Sequence, residues 1–361
     1  MPFLTTCKIL LAYRVAFRRY ITICGSVLGQ ESVPGGSDFG RSIPIINMAK
    51  SGKSSIAGVN EFQRYVCSVV PVLHFGSHKG QCGRIGVVGG SDYFVGAAYF
   101  ASMSALRLGA DLVYVFTTKS AAAPLKTYSP DLMVHPCLDS KDCNKLVIKT
   151  LPKLHSLVIG CGLSLEPDVQ TAVSFIIEQA KELNLPIVID ASAFPLIVTK
   201  LDLIRGYRRA ILTPNFSEFK RLYKSALKEE FTLSQPVPEA VEAMASNLGN
   251  VTIVAKGAVD IISDGLNLVV CDETGSPRRC GGQGDVLAGL LGTFSCWAFN
   301  AEVNGSLKNC PLAPSVVASL GASMVTRRCA RNAFKKMRRS TLTPDILDEI
   351  RDGFAALFPV D

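Results

Sequence analysis

Short apolar runs that each close in glycine or a polar residue, separated by stretches of helical period, constrain this chain more than any other feature. The run RIGVVGG (84–90) leads into the small-residue stretch VGAAYFASMSALRLG (95–109), and that into DLVYVFT (111–117), which together predict a β-α-β unit. SLVIGCG (156–162), LPIVIDA (185–191), AILTPN (210–215) and VTIVAKG (251–257) repeat the pattern, with helical sequence such as DVQTAVSFIIEQAKEL (168–183) in between. Strands apolar throughout that alternate with helices predict an α/β fold: a mostly parallel central sheet with helices on both faces. In such sheets ligands bind beyond the carboxyl ends of the strands, where Gly90, Gly162, Asp190, Asn215 and Lys256 all fall. VDIISDGLNLVVCDE (259–273) departs from the pattern, with two β-rich runs around Asp264-Gly265, a favourable hairpin turn.

Composition narrows the function classes. With 361 residues, 48% hydrophobic and 19% charged, the chain can bury a substantial core as one large α/β domain or two smaller ones. A net charge of +8 suits anionic partners, yet the dense basic run RRCARNAFKKMRR (327–339) reads as a solvated helix face, and no groove-binding motif points to nucleic acid. The twelve cysteines include no CxxC pair, which argues against zinc and thioredoxin-like chemistry and for a reducing compartment. His74, His78, His135 and His155 lack metal-ligand spacing, and Trp297 reads as core. Residues 1–30 carry Lys8, Arg14, Arg18 and Arg19 and no acidic residue, the composition of a mitochondrial presequence. We therefore expect a presequence and linker over 1–50 and one folded domain over 51–361, with Met48 as an alternative start giving a cytosolic form. No stretch of about 20 uncharged apolar residues follows the presequence, so no membrane span is expected.

GSPRRCGGQGDVLAGLLG (275–292) holds the densest chemical signal. Gly281, Gly282 and Gly284 remove side chains where backbone N–H groups could approach an anion, and the apolar run from Val286 predicts a helix starting there. A helix N-terminus would stabilise a phosphate at that point, and Asp285 stands beside it as an acceptor for a hydroxyl proton. Taken alone, the GxGD pattern fits equally well a plain glycine turn in which Asp285 only starts the helix. Two other phosphate patterns fail: SGKSS (51–55) has Asn47 where a Walker loop needs glycine, and VIGCGLSLEP (158–167) has Leu165 at the third fingerprint position. Near the C-terminus, Thr343 is expected to cap a helix with Pro344 and Asp345 in its first turn.

The order of several motifs carries more than any one. TPNFSEF (213–219) places Asn215 and Glu218 on one face of a helix start, AKGAVDIISDG (255–265) supplies Lys256 and Asp260, and SPRRCGGQGD (276–285) follows. With HKGQCGRIGVVGGS (78–91), GAAYFASMSALRLGADLVYVF (96–116) and SPDLMVHP (129–136) ahead of them, the chain resembles, over residues 70 to 355, the ATP-dependent (S)-NAD(P)H-hydrate dehydratase family of the ribokinase-like superfamily.

The resemblance implies an enzyme that repairs NADH or NADPH hydrated on the nicotinamide ring, using ATP to phosphorylate the added hydroxyl before phosphate leaves. It implies ATP contacts by Lys256, Gly257, Ala258, Val259 and Asp260, and by Gly275, Ser276, Pro277, Arg278, Arg279, Cys280, Gly281, Gly282, Gln283 and Gly284. Contacts to the hydrate would come from Gly162, Asn215, Phe216, Ser217, Glu218, Phe219, Lys220, Arg221 and Asp285, with Asp285 as the catalytic base. Glu218 would act through water on Mg2+ bound to the phosphates, and a homo-oligomer is implied. The chain departs from the family pattern at Ser192, where a second acid is usual, at Val95 and Ala98 in FVGAA, and at Ser164 in GCGLS. Two alternatives stay open on the sequence: a vitamin-precursor kinase of the same superfamily, and a catalytically silent nucleotide-binding protein.

Overall fold

A computed structural model describes residues 44–47, 55–232 and 234–359. The basic N-terminal segment and Met48 lie outside the described residues. Strands β1 (Pro44–Asn47) and β2 (Ser55–Gly58) pair antiparallel, so paired residues stand on both sides of position 50. Helix α1 (Val59–Val69) follows.

The main body begins with β3 (Arg84–Val88), α2 (Val95–Leu108), β4 (Leu112–Thr117), α3 (Lys119–Tyr128) and β5 (Leu132–Pro136). It continues through α4 (Cys143–Thr150), β6 (Ser156–Ile159), α5 (Pro167–Glu182), β7 (Ile187–Ile189), α6 (Phe194–Thr199), β8 (Ala210–Leu212), α7 (Phe216–Leu227) and α8 (Val237–Asn247). Strands β9 (Thr252–Ala255), β10 (Asp260–Ser263) and β11 (Leu268–Cys271) complete the sheet. Helices α9 (Gln283–Val303), α10 (Pro314–Met337), α11 (Thr343–Asp348) and α12 (Ile350–Leu357) then end the described chain.

Nine strands form one sheet in the order β11-β10-β9-β8-β7-β6-β3-β4-β5, parallel from β5 to β9. The expected α/β architecture is therefore the observed one. The 259–273 segment is a hairpin: β10 pairs antiparallel with both β9 and β11, and the Asp264 carboxylate accepts from the N–H groups of Leu266 and Asn267 to fold the turn.

Side chains along each strand alternate between two cores, as the period of two requires. Val158, Val188, Ile211 and Val254 face α2, α9 and α10, whereas Leu157, Ile187, Leu212 and Ile253 face α5 to α8. Helix α9 is long and apolar enough to cross a membrane by length and composition, and it is packed inside the protein. Its small residues explain how it fits. A Cβ at Gly289 would lie 2.0 Å from the Ala101 carbonyl of α2, and one at Gly292 would lie 2.7 Å from Val158. Close approach on both sides, to the α2 backbone at Gly289 and to the Val158 side chain at Gly292, fixes α9 across the sheet and carries its N-terminus to the carboxyl ends of the strands. Trp297 belongs to this core, its indole N–H donating to the Cys82 carbonyl at 2.7 Å.

The basic run departs from expectation. Arg327 is buried, and Arg328 and Arg331 pair with Glu273, so the N-terminal part of the run turns into the protein; Lys335, Lys336, Arg338 and Arg339 are exposed. The apolar residues interleaved with the arginines give α10 an inward face that charge density alone concealed.

Candidate active site

The loop joining β11 to α9 is shaped by its own short polar contacts. The Ser276 hydroxyl accepts from Arg278 N–H at 3.0 Å, and the Gln283 amide donates to the Arg278 carbonyl at 3.1 Å. Gly282 caps α9 with φ +96°, and a Cβ there would lie 2.6 Å from Thr343 Oγ1 and 2.8 Å from the Phe100 ring. Both the backbone conformation and the close approach thus require glycine. Thr343 is not the N-cap of α11 as expected: Leu342 holds that position, its N–H accepted by Asp345 Oδ2 at 2.7 Å. The Thr343 hydroxyl instead donates to the Gly281 carbonyl and ties the glycine loop to α11.

Asp285 lies in the first turn of α9, open to a cavity on one side and crowded by protein on the others. Three parallel strands deliver its neighbours. Cys161 follows β6, Asp190 follows β7 and Lys256 follows β9, and Cys161 Sγ and the carboxylates of Asp190 and Asp285 lie within 4.8 Å of one another. Asp190 is buried and accepts at Oδ1 from Lys256 Nζ at 2.6 Å and from the Thr213 hydroxyl at 2.7 Å. Burial, and then the Asp190 charge, push the Asp285 carboxyl up to about 7, against opposing contributions from the Cys161 thiol and Lys256. Burial pulls the Lys256 ammonium down, but Asp190, Glu218 and Asp285 outweigh it and hold the ammonium above its ordinary value. Cys161 is raised by burial and by Asp285 and Asp190, and stays a thiol. With Lys256 seated on Asp190, this cluster is an ion-paired network, and a thiol among its groups does not suit a hard cation that prefers oxygen.

Between β8 and α7 the N-x-x-E spacing is a complete capping box. Asn215 Oδ1 accepts from the N–H groups of Ser217 and Glu218 at 3.0 Å each, while Glu218 Oε2 accepts from Asn215 N–H at 2.8 Å. Glu218 is buried, which raises its carboxyl above the ordinary range.

These elements surround a cavity of about 1000 Å³. Of the residues expected from sequence, it is lined by Asn215, Phe216, Glu218, Lys256, Gly257, Ala258, Asp260, Gly275, Ser276, Pro277, Arg279, Cys280, Gly282, Gln283, Gly284 and Asp285. Ser217, Lys220 and Arg221 are exposed on α7 outside its lining, and Val259, Arg278 and Gly281 also stand back from it. Phe219 is directed away from the cavity, into an aromatic cluster with Tyr223 and Phe231. Gly162 admits a neighbour: at φ +67°, its Cβ would lie 2.2 Å from the Phe94 carbonyl. The lining adds Asp190, Ala191, Leu287, Thr326, Arg327 and Ala330. Asp190 was marked by its place at a strand end, whereas Thr326, Arg327 and Ala330 come from α10, whose approach to the site no local motif signals.

Residues 85–352 match the family model described as NAD(P)H-hydrate dehydratase. The chain belongs to this family. Among curated relatives, an ATP-dependent (S)-NAD(P)H-hydrate dehydratase of Ixodes scapularis is 47% identical over 309 residues, covering 84% of this chain and 98% of its own. Solved structures agree in fold: a ribokinase-like superfamily protein from Enterococcus faecalis (TM-score 0.65, 20% identity, 82% of this chain and 95% of its own) is one. Another is the ADP/ATP-dependent NAD(P)H-hydrate dehydratase of Bacillus subtilis co-crystallized with ATP/Mg2+ (TM-score 0.60, 23% identity, 81% and 97%). Where this chain departs from its family pattern, the residues have local roles. Ser164 accepts at its hydroxyl from Glu166 N–H at 3.2 Å ahead of α5, Ser192 donates its N–H to the Gly160 carbonyl at 3.1 Å, Val95 begins α2 and Ala98 is buried.

Proposed function

We propose that this chain catalyses the ATP-dependent dehydration of the S form of hydrated NADH and NADPH, restoring the reduced dinucleotide and releasing ADP and phosphate. One observation carries the reading: Asp285 combines a carboxyl shifted to about 7 with a place in the first turn of α9, on a cavity of about 1000 Å³. A carboxylate so tuned accepts a hydroxyl proton near neutral pH far better than an ordinary aspartate. The dipole and free N–H groups of α9 stand where negative charge would accumulate on a transferring phosphoryl group.

The chain's residues fit Mg-ATP. A Cβ at Gly284 would lie 3.2 Å from Lys256 Nζ, so glycine keeps open the gap between the ammonium and the helix N-terminus that a phosphate would fill. Gly257 and Ala258, with Gly275, Ser276, Pro277, Arg279 and Cys280, would hold the remainder of the nucleotide. ATP, when bound, supplies the phosphoryl group that turns the ring hydroxyl into a good leaving group. Glu218 would orient Mg2+ through water, its carboxylate held in place by the Asn215 N–H at Oε2. Asp285 holds the proton taken from the hydroxyl, and Lys256 keeps the neighbouring Asp190 charge compensated.

Incubation of the chain with hydrated NADH and Mg-ATP tests this directly. Recovery of reduced-nicotinamide absorbance with equal amounts of ADP and phosphate is expected. A persistent phosphorylated product would make the protein a kinase, and ATP binding without turnover would make it a silent binder.

A further inference from the structure

Arg327 is the least expected residue at the cavity, lying in the middle of α10. Its guanidinium is fully engaged. Nε donates to Asp260 Oδ2 and Nη2 to Asp260 Oδ1, both at 2.9 Å, while the Gly257 N–H donates to the same Oδ1 at 3.2 Å. Nη2 also donates to the Gly257 carbonyl at 2.9 Å, and Nη1 to the carbonyls of Ala258 at 2.8 Å and Glu273 at 3.3 Å. One side chain therefore ties the turn after β9 to the start of the loop that leads into the glycine cradle. Both segments line the cavity or run directly into its lining.

We propose that Arg327 and Asp260 form a latch that positions the two nucleotide-facing loops, Asp260 acting on the loop backbone and Arg327 rather than as a direct ligand of ATP. This rests on the reading of the cavity as the Mg-ATP site. Both Asp260 carboxylate oxygens already accept from Arg327, so a nucleotide hydroxyl would have to compete with a buried bidentate ion pair. The loop carbonyls that Arg327 binds point their hydrogen-bonding capacity into the protein, which fixes their peptide planes and leaves the opposite side of each turn to the ligand. Lysine could keep the charge but not this planar, forked set of donors.

The test compares wild type with Arg327→Lys in steady-state kinetics, varying Mg-ATP and hydrated NADH separately. We expect KM for ATP to rise tenfold or more while KM for the hydrate stays within twofold. Because a lone buried charge can prevent folding, the double variant Arg327→Met/Asp260→Leu, which removes both charges, is measured alongside and should show the same selective rise. A folded variant whose KM for ATP stays within twofold of wild type overturns the latch, as does an equal rise in both KM values accompanied by a lowered Tm, which marks general destabilisation. If wild type itself neither binds Mg-ATP in calorimetry nor turns over, it is the assignment of the cavity that fails, and that outcome is separate.

Discussion

Asp285, in the first turn of α9, and Asp260, the first residue of β10, both reach the same cavity, yet their surroundings differ. Asp260 is locked by two hydrogen bonds from Arg327 and one from a backbone N–H, so its charge is spent on structure. Asp285 is crowded by protein while the nearest ammonium, Lys256, is seated on Asp190, and its carboxyl is pushed up to about 7. A carboxylate facing the cavity is thus a fixed anchor where a cation is matched to it, and a proton acceptor where it is not. The difference is set by what α10 and β9 each bring: a forked guanidinium in one place, a single ammonium already shared in the other.

The strongest way to break this contrast is Asp285→Asn. If Asp285 is the acceptor, kcat should fall by roughly 10²–10⁴-fold while calorimetry shows ATP binding retained. In wild type, kcat/KM should rise as pH increases through about 7, where the carboxylate forms. Stability should run the other way. The folded carboxyl keeps its proton up to about 7 while the unfolded one loses it near the ordinary value of 3.8, so the folded state binds more protons between these values and stability falls as pH rises across that window. The asparagine variant escapes this loss, so its Tm should exceed that of wild type at pH 8 and converge with it at about pH 4.

Lys256→Met sharpens the comparison by removing the shared ammonium. Breaking the Lys256–Asp190 pair leaves a buried carboxylate without its cation, a loss of about 3–5 kcal/mol for fully buried pairs and less here, because Lys256 keeps some contact with the cavity. With one less positive charge nearby, the Asp285 carboxyl should rise further, and the pH–rate limb should move to higher pH. A limb that stays in place would mean that Lys256 does not tune the base.

These tests also separate what the sequence could disclose from what it could not. Apolar runs ending at Gly162, Asp190, Asn215 and Lys256 placed the strand ends, because parallel strands buried on both faces must be apolar throughout, and the GxGD spacing placed Asp285 at a helix start. In the sequence Arg327 and Thr343 look like part of a solvated basic face and a helix cap, since their roles depend on α10 and α11 folding back onto loops about 60 residues earlier in the chain. Phe219 stood inside a motif associated with binding, but one residue beyond Glu218 the helix carries it about 100° round the axis, into the second core against Tyr223 and Phe231. Motif membership located the segment; only packing decided which side chains face the cavity.

The glycine loop offers a smaller test of whether its geometry is shared between these roles. Gly282→Ala would force a Cβ into φ +96° against Thr343 and Phe100, at a cost of about 1–3 kcal/mol, and should raise KM for ATP. Thr343→Val removes only the hydroxyl that holds the Gly281 carbonyl, so a loss of about 1 kcal/mol in thermal or urea unfolding is expected. If the valine variant matched the alanine variant in its effect on ATP, the contact with α11, and not the left-handed backbone, would be what sets the cradle.

The smallest effect is expected at Lys220 and Arg221, exposed on α7 beyond the capping box. Solvent and salt screen such charges, and an exposed ion pair contributes about 0.2–1 kcal/mol, so alanine at either position should raise KM for the hydrate by no more than about fivefold. The effect should shrink as salt is added, with kcat unchanged, because neither side chain reaches Asp285 or the Lys256–Asp190 pair. A loss of kcat at low and high salt alike would require α7 to move toward the cavity when substrate binds. The division between a buried electrostatic network that performs the chemistry and an exposed rim that gathers the anionic substrate would then no longer hold.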